Sequence, residues 1–394
     1  MAGPADRHRN SGANEPMNFD FSDDLNLLRD EARKFLTAQC PTRAVRRILE
    51  REAPFDRELW QQVARMGWLG AAVPEAYGGS ALGHEGLCVI AEELGRALAP
   101  IPFASSAYLA TEAILSHGTE AQKARYLPQL VAGESIGAFA IAEGPDNPRP
   151  EAVHAQVRDG RLHADKWPVV DGSIADLAVT VARDAQGTIA LYLVPLGEAG
   201  VTRQALDTVD PTRDQARLGF AAAPAELLGD GPCGWDAVQA LLDKAAVLFA
   251  FEQVGGAQAS LEMACNYARE RVAFGRPIGS FQAIKHKLAD VYIAIELARS
   301  NAYYGAWALQ TGAPELGLAA AAARVAATEA FHLASKENIQ THGGMGFTWE
   351  MDCHLFYRRS KMLALMLGSA RHWKDRLVRL WAERTETTPT AQAH

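Results

Sequence analysis

Arg271-Val272-Ala273-Phe274-Gly275-Arg276-Pro277-Ile278-Gly279-Ser280-Phe281-Gln282 joins two long patterns of helical spacing through a short turn. Gly275, Pro277 and Gly279 interrupt helices, so the backbone turns here and presents its N–H groups. We expect Ser280 to cap the helix that follows. A helix start beside two arginines attracts anions, so the turn predicts an anion-binding site. For this stretch alone, a loop with solvated arginines is an equal alternative.

A second glycine-rich turn, Gln340-Thr341-His342-Gly343-Gly344-Met345-Gly346-Phe347, also lies between helical patterns. Three glycines in four residues allow the backbone to approach a ligand closely. Together, the two stretches resemble the C-terminal half of the acyl-CoA dehydrogenase family. The pair is far more specific than either stretch alone, so it favours the anion-binding interpretation of the first turn.

The resemblance implies a role for both stretches in binding FAD. In this family, the C-terminal domain of one subunit binds the adenine and pyrophosphate of an FAD that is held mainly by its neighbour. Arg271 would pair with the pyrophosphate, because a guanidinium fork suits phosphate oxygens. Gln340 to Gly344 would close over the adenosine end. The predicted cofactor-binding residues are Arg271, Phe274, Phe281, Gln282, Gln340, His342, Gly343 and Gly344.

Length and composition indicate a large globular protein with an acidic surface. The chain has 394 residues, 48% of them hydrophobic, and a net charge of −8. This length predicts two or three domains, and the charge disfavours nucleic acid and anionic membranes as partners. No apolar run approaches the roughly 20 residues that cross a bilayer. The five cysteines have no metal-ligand spacing, so we expect reduced thiols, a cytoplasmic location and no metal site.

The period of the hydrophobic pattern divides the chain into segments. We expect a disordered N-terminus (1–17), an N-terminal helical domain (18–128), a central antiparallel β domain (129–232), a C-terminal bundle of four long helices (233–385) and a tail (386–394). In the central domain the period is two, and Asp159-Gly160 predicts a hairpin. The fold class is therefore α+β, and the order helical, β, helical is that of the acyl-CoA dehydrogenase family.

The residues that would catalyse the family's reaction are absent. Family members oxidise an acyl-CoA thioester across Cα–Cβ, and a glutamate removes the α proton. Where one family pattern has Tyr-Glu-Gly-Thr, this sequence has Met366-Leu367-Gly368-Ser369. Leucine cannot accept a proton. At the family's other base position, a glutamate followed by arginine, it has Ala245-Ala246. The catalytic residues of this chain are therefore unknown from sequence.

The loop that lies against the flavin ring in the family is also altered. A Thr-Glu-Pro-Gly-Ala-Gly-Ser-Asp pattern becomes Ala142-Glu143-Gly144-Pro145-Asp146-Asn147-Pro148-Arg149, which lacks the hydroxyl that contacts flavin. A Trp-Ile-Thr segment becomes Pro168-Val169-Val170, and the shift of Trp167 by one place reverses the side of a strand that it faces. Glu143, Glu350 and Asp352 could replace the base, but a structural role is the better interpretation of each.

These differences predict a subunit of an acyl-CoA dehydrogenase built from two unlike chains. It would supply the adenine and pyrophosphate half-site to a partner chain that carries the base and the flavin-ring pocket. One alternative is a homomeric acyl-CoA dehydrogenase with a relocated base for a bulky acyl group, and another is a flavin-free scaffold. The resemblance implies an acyl-CoA thioester as substrate, an electron-transferring flavoprotein as acceptor, and a dimer or tetramer.

Overall fold

A computed structural model describes residues 21–387, so predicted segment 1–17 and residues 388–394 of the predicted tail lie outside it. The first helix begins where the sequence predicts, because Ser22 Oγ accepts a hydrogen bond from the N–H of Leu25. It ends before Pro41. The helices of the N-terminal part are α1 (Asp23–Gln39), α2 (Thr42–Leu49), α3 (Arg57–Arg65), α4 (Gly83–Arg96), α5 (Glu112–His117), which a π-helical segment (Ala104–Thr111) precedes, and α6 (Glu120–Val131).

An eight-stranded sheet forms the central part, in the order β6-β7-β3-β2-β4-β5-β8, with β1 paired to β4. Its strands are β1 (Gly137–Ala140), β2 (Gln156–Arg158), β3 (Arg161–Val170), β4 (Leu177–Arg183), β5 (Ile189–Pro195), β6 (Val201–Ala205), β7 (Gln215–Pro224) and β8 (Glu226–Leu227). Asp159 and Gly160 both have positive φ in the β2–β3 turn, which confirms that hairpin. The sheet departs from purely antiparallel pairing, because β1 and β2 pair with β4 in parallel.

Long helices form the C-terminal bundle. They are α7 (Gly234–Glu270), α8 (Gln282–Thr311), α9 (Leu316–His342), α10 (Cys353–Leu365) and α11 (Ala370–Thr387). The last two arise from one predicted helix, which breaks because Leu367 and Gly368 have φ values of 61° and 106°. The predicted boundary between 128 and 129 falls inside α6, and the division into domains stays a prediction. Between residues 21 and 387, no helix is both long and apolar enough to cross a membrane.

The turn between α7 and α8 is a short hairpin of β9 (Val272–Ala273) and β10 (Arg276–Pro277). The prediction that Ser280 caps α8 is wrong. Residues Ile278–Ser280 form a 3-10 turn, and Ser280 Oγ donates to the carbonyl of Pro277 at 2.7 Å. Phe281 precedes α8 instead and makes no side-chain cap hydrogen bond.

Helices α4 and α7 cross in direct backbone contact. A Cβ built on Gly255 would lie 1.9 Å from the carbonyl oxygen of Glu92, and one built on Gly95 would lie 1.9 Å from that of Glu252. Any side chain at either position would collide with backbone atoms. The two glycines therefore fix how closely the N-terminal helices pack on the bundle.

Buried charges join the central part of the chain to the bundle close to this crossing. Glu252 on α7 accepts a hydrogen bond from Arg213 Nη2 at 2.7 Å, and Arg359 Nη1 on α10 lies 3.5 Å from the same carboxylate. Arg359 Nε also donates to Asp210 at 2.7 Å. None of these four side chains is more than 2% exposed. The predicted turn between the last strands, Asp210-Pro211-Thr212-Arg213, is therefore clamped to the bundle.

Gly255→Ala should destabilise the fold severely, because the added methyl group meets a main-chain carbonyl that no rotamer change can move. We expect a loss of about 3 kcal/mol or more in the free energy of unfolding, measured by urea denaturation. Gly197→Ala is the matched control, because a Cβ there meets nothing within 4 Å. Equal midpoints for the two variants would contradict the close crossing.

Asp171, which is buried and accepts a hydrogen bond from Ser105 Oγ at 2.6 Å, should make stability depend on pH. Burial raises its pKa to about 7, although the positive charge of Arg213 opposes the shift. A raised carboxyl pKa stabilises the fold below the unfolded pKa of about 3.9, and this contribution is lost as pH rises through 7. Asp171→Asn does not titrate, so its stability relative to wild type should improve by about 2–3 kcal/mol between pH 5 and pH 8. If the difference in free energy of unfolding between Asp171→Asn and wild type is the same at pH 5 and pH 8, the raised pKa of Asp171 is contradicted.

Candidate functional site

The β9–β10 hairpin projects from the end of the bundle. Phe274 is 94% exposed and has a φ of 53°, and its ring meets that of Phe281 edge-on at 6.2 Å. The guanidinium of Arg276 lies 4.0 Å above the ring of Phe281. Arg271 is exposed where α7 ends, and no carboxylate between residues 21 and 387 is placed to form an ion pair with it. The hairpin thus offers an unpaired cation beside exposed aromatic rings.

The two glycine-rich turns meet at the same end of the bundle. Tyr267, one helical turn before Arg271, stacks on His342 with the ring centroids 4.1 Å apart. At the other side of the hairpin, Lys287 of α8 pairs with Glu337 of α9 at 3.3 Å. These contacts hold the end of α7, the start of α8 and the end of α9 together, and they bring the predicted cofactor residues into one region.

The second turn forms an open cradle with a buried imidazole below it. Burial lowers the pKa of His342, so the ring is neutral at pH 7 and Nδ1 donates to the carbonyl of Asn338 at 2.8 Å. Its Nε2 is buried and has no hydrogen-bond partner among the described residues. A Cβ at Gly343 or Gly344 would meet nothing within 4 Å. The cradle therefore leaves room for a ligand to approach the backbone.

These residues fit the adenine and pyrophosphate half of FAD. Arg271 supplies a positive charge without a protein partner, and Gly343 and Gly344 leave the backbone open. Gln282, the first residue of α8, and Gln340, near the end of α9, both have exposed side chains that can donate and accept hydrogen bonds. The roles of the individual residues stay predictions.

The loop Ala142–Arg149, which we call the ring-side loop, is tied into the sheet by Glu143. Its carboxylate accepts hydrogen bonds from the N–H groups of His154 and Ala155 and from Lys166 Nζ, the last at 2.7 Å. Burial lowers the pKa of Lys166 to about 8, although Glu143 opposes the shift. Glu143 is fully occupied by these contacts, as its structural interpretation predicts, and it cannot serve as a base.

Direct contact joins the ring-side loop to the loop of residues 366–369. The N–H of Ser369 donates to Asn147 Oδ1 at 2.8 Å. Pro148 Cδ lies 3.2 Å from where a Cβ of Gly368 would be. The ring-side loop also encloses a cavity of about 50 Å³ against residues 152–154, and no residue of the 366–369 loop lines this cavity. The two loops are therefore in direct contact.

None of the candidate base positions is suited to that role. Leu367 is partly buried against the core, and Ala245 and Ala246 are completely buried in α7. Glu350 is exposed. Asp352 is paired with Arg46 Nε at 2.6 Å rather than with the neighbouring His354.

Trp167 pairs through its backbone with the ring-side loop. Its N–H donates to the carbonyl of Ala142, and its carbonyl accepts from the N–H of Gly144, both at 2.9 Å. The pairing of β3 with β7 shifts register between Lys166 and Val169. The backbone of Trp167, next to the altered Trp-Ile-Thr segment, therefore anchors the ring-side loop. The predicted reversal of the Trp167 side chain stays a prediction.

The sequence did not reveal three residues that shape this region. Asn147 is 222 positions from its partner Ser369, and no local pattern links them. Arg324 Nη2 donates to the carbonyl of Met366 at 2.8 Å and so fixes the start of the 366–369 loop. Burial lowers the pKa of Arg324 to about 9. Of the three, only Tyr267 could have been found from the sequence, because it lies one helical turn before Arg271 and so on the same face of α7.

Comparison with known proteins places the chain among relatives of matching length. The profile "Acyl-CoA dehydrogenase, N-terminal domain" matches residues 22–134, and "Acyl-CoA dehydrogenase, C-terminal domain" matches residues 233–378. Acyl-CoA dehydrogenase IpdE2 of Mycobacterium tuberculosis is 33% identical over 352 residues, which cover 89% of this chain and 95% of the relative.

Solved structures show the same fold. Butyryl-CoA dehydrogenase from Megasphaera elsdenii superposes with a TM-score of 0.85 at 26% identity, covering 93% of this chain and 100% of that chain. The ChsE4-ChsE5 complex from Mycobacterium tuberculosis superposes with a TM-score of 0.84 at 27% identity, covering 95% of this chain and 100% of that chain. The chain therefore belongs to the acyl-CoA dehydrogenase family, whose members are FAD-binding oxidoreductases of acyl-CoA catabolism.

Proposed function

We propose that this protein is the non-catalytic subunit of an acyl-CoA dehydrogenase made of two unlike chains. It supplies the adenine and pyrophosphate half-site for an FAD whose ring, together with the catalytic base, belongs to the partner chain. An electron-transferring flavoprotein is the acceptor that the family resemblance implies. A cytoplasmic location stays a prediction.

The observation that carries this proposal is the direct contact between the two loops that would flank the chain's own flavin ring. Asn147 binds the N–H of Ser369, and Pro148 packs against Gly368. In contrast, Arg271 is exposed, and a Cβ at Gly343 or Gly344 would meet nothing within 4 Å. A subunit that serves its partner's cofactor needs an accessible nucleotide half-site, but it does not need a reaction site of its own.

FAD, when bound, supplies the acceptor for the hydride that leaves the β carbon of the thioester. The residues of this chain act far from that carbon. Arg271 offsets the charge of the pyrophosphate, and Phe274 and Phe281 present apolar surface that excludes water from the ion pair. Gly343 and Gly344 let backbone N–H groups approach the ligand. These groups retain and orient the cofactor, while proton removal is left to the partner's base.

An assembly of unlike chains is supported by the similarity of this chain to the structure of the ChsE4-ChsE5 complex, which contains two different proteins. Phe274, Phe347 and Val272 are respectively 94%, 80% and 57% exposed around the proposed half-site. Exposed apolar groups of this size favour burial against another subunit. We therefore expect a dimer or tetramer.

A second candidate function, a homomeric dehydrogenase with a relocated base, is favoured by His372. Its Cδ2 lies 3.0 Å from where a Cβ of Gly368 would be, next to the family's base position. Burial lowers the pKa of His372, so the ring is neutral at pH 7, and its Nε2 has no partner among the described residues. A neutral imidazole can accept a proton, but here the ring-side loop covers the site.

The flavin content of the purified chain and of its complex separates these functions. We expect no flavin in the isolated chain and about one FAD per pair of unlike chains. Bound flavin that a thioester bleaches in the isolated chain would favour the homomeric enzyme. Absence of flavin from both samples would favour a scaffold.

Arg271→Ala should lower FAD retention in the assembled complex. A charged hydrogen bond contributes about 1.5–3 kcal/mol, which corresponds to roughly a tenfold or greater loss of affinity. Arg271→Lys keeps the charge without the fork, so recovery should be partial. Arg269→Ala, two residues away on α7, is the control and should retain FAD. Equal FAD affinity of the Arg271 variants and wild type would refute the assignment.

Leu367→Glu places a carboxylate at the family's base position, yet we expect no dehydrogenase activity in the isolated variant chain. A positioned base contributes about 10²–10⁴ in rate, but only when cofactor and substrate are in place. The closed loops exclude both. The measurement is reduction of a ferrocenium acceptor with a panel of acyl-CoAs, with Leu367→Gln as control.

Turnover by the unmodified isolated chain would contradict the non-catalytic role, and loss of that turnover in His372→Ala would identify the relocated base. Turnover by Leu367→Glu alone would mean that the ring pocket is intact and only the base was lost.

A further inference from the structure

One exposed leucine of α1 is surrounded by carboxylates. Leu27 is 62% exposed. On a helix, the neighbours of a surface residue are those three and four positions away in each direction. For Leu27 these four neighbours are all acidic and all exposed, and they are Asp23, Asp24, Asp30 and Glu31. We call Leu27 and these four residues the α1 knob.

The helix dipole accounts for only two of these carboxylates. Asp23 and Asp24 lie in the first turn of α1, where negative charge is favourable. Asp30 and Glu31 lie in the middle of the helix, beyond this effect. Glu31 is 4.0 Å from Lys34 in an exposed pair, and Asp23, Asp24 and Asp30 have no ion-pair partner between residues 21 and 387. The α1 knob therefore presents uncompensated negative charge around an apolar side chain.

A groove between α9 and α10 has the complementary shape and polarity. We call it the α9–α10 groove, and its volume is about 410 Å³. Its apolar walls are Val209, Ile339, Phe347 and Tyr357. Phe347 is 80% exposed in the single chain. The groove can therefore accept an apolar side chain from outside and would cover its own exposed aromatic wall in doing so.

The α9–α10 groove is positively charged, although the whole chain carries a net charge of −8. Lys336 and Arg358 line it, and none of its lining residues is acidic. Lys361 Nζ lies 4.8 Å from the ring centroid of Tyr357, a wall of the groove. Within residues 21–387, no carboxylate is placed to form an ion pair with Arg358 or Lys361. A local excess of cations favours an acidic partner.

Glu337, next to Lys336, does not neutralise the α9–α10 groove. Its carboxylate is shared between Lys336 at 3.2 Å and Lys287 at 3.3 Å, so two cations compete for one negative charge. Lys361 Nζ donates to His332 Nδ1 at 3.0 Å, and burial together with neighbouring lysines lowers the pKa of His332. The neutral imidazole leaves the ammonium charge of Lys361 uncompensated.

We propose that the α1 knob of one copy of this chain docks in the α9–α10 groove of a second copy. Leu27 enters between the apolar walls, while the carboxylates around it face Lys336, Arg358 and Lys361. Knob and groove belong to the same chain, so two copies related by a two-fold axis make the contact twice and form a closed dimer. The contact involves this chain alone, so it does not rest on the proposed FAD half-site or on a partner of another sequence.

Sedimentation velocity of the isolated full-length chain tests the contact. We expect self-association at micromolar concentration that weakens as salt is raised, because charges at the edge of an interface are screened. Leu27→Ser should weaken the dimer about tenfold or more, because it removes the apolar group that docking buries. Leu297→Ser, at an equally exposed leucine of α8 (61%), is the matched control and should associate like wild type.

Reversal of charge on each side of the contact gives a sharper test. The variant Asp24→Lys, Asp30→Lys and Glu31→Lys has a cationic knob and a cationic groove. The variant Lys336→Glu and Arg358→Glu has an acidic knob and an acidic groove, so neither variant should associate with itself. An equal mixture of the two should associate, because each knob then meets a groove of opposite charge. Misfolded variants could not produce this recovery.

Three results would each overturn the proposal: a monomeric wild-type chain, association that Leu27→Ser leaves unchanged, or a mixture of the two charge variants that stays monomeric. Lys336 is 55% exposed, so Lys336→Glu alone remains informative if Arg358→Glu, which loses its bond to the carbonyl of Val209, fails to fold. FAD content of the assembled complex should be the same with Leu27→Ser as with wild type. Failure of this contact is thus distinguishable from failure of the FAD half-site, which Arg271→Ala tests.

Discussion

The buried carboxylate of Glu252 is the constraint on which the arrangement of the three parts depends. It is completely buried and has a charge that can be tolerated only because Arg213 from the β part and Arg359 from α10 face it. The carbonyl of the same residue touches Gly95 at the crossing of α4 and α7. Rotation of the β part against the bundle would leave a buried charge without its partner. The contact at Gly95 likewise fixes the N-terminal helices on the bundle.

This rigidity also determines how the ring-side loop meets the 366–369 loop. The ring-side loop belongs to the β part, and the 366–369 loop belongs to the bundle. Because the buried ion pairs fix the distance between these parts, contacts between Asn147 and Ser369 and between Pro148 and Gly368 do not depend on a chance position of two flexible loops. Arg324 holds the second loop from below through the carbonyl of Met366. The contact between the two loops and the leucine at position 367 therefore occur in the same rigid region.

Sequence patterns predict those features whose causes are local. The Asp159-Gly160 turn has a conformation that few other residue pairs adopt, and the Ser22 cap lies next to the helix that it begins. The exchange of glutamate for Leu367 is likewise visible in a short motif. The failure at Ser280 is also local, because the competing 3-10 turn provides its hydroxyl with the carbonyl of Pro277 instead. The contact of Asn147 with Ser369 and the stacking of Tyr267 on His342 arise only on folding, since distant segments supply the partners.

The proposed FAD half-site combines the exposed cations Arg271 and Arg276 with exposed aromatic rings at one end of the bundle. An acidic chain repels nucleotides over most of its surface, so cations concentrated at one end direct an anion there. The same end presents Phe274 and Phe347, whose rings are nearly bare in the single chain. Covering these rings with a partner subunit would exclude water from the cations and strengthen their attraction for phosphate. Assembly and nucleotide binding should therefore reinforce each other. Assembly covers the exposed apolar rings, and the bound nucleotide pairs the cations that would otherwise be buried without a partner.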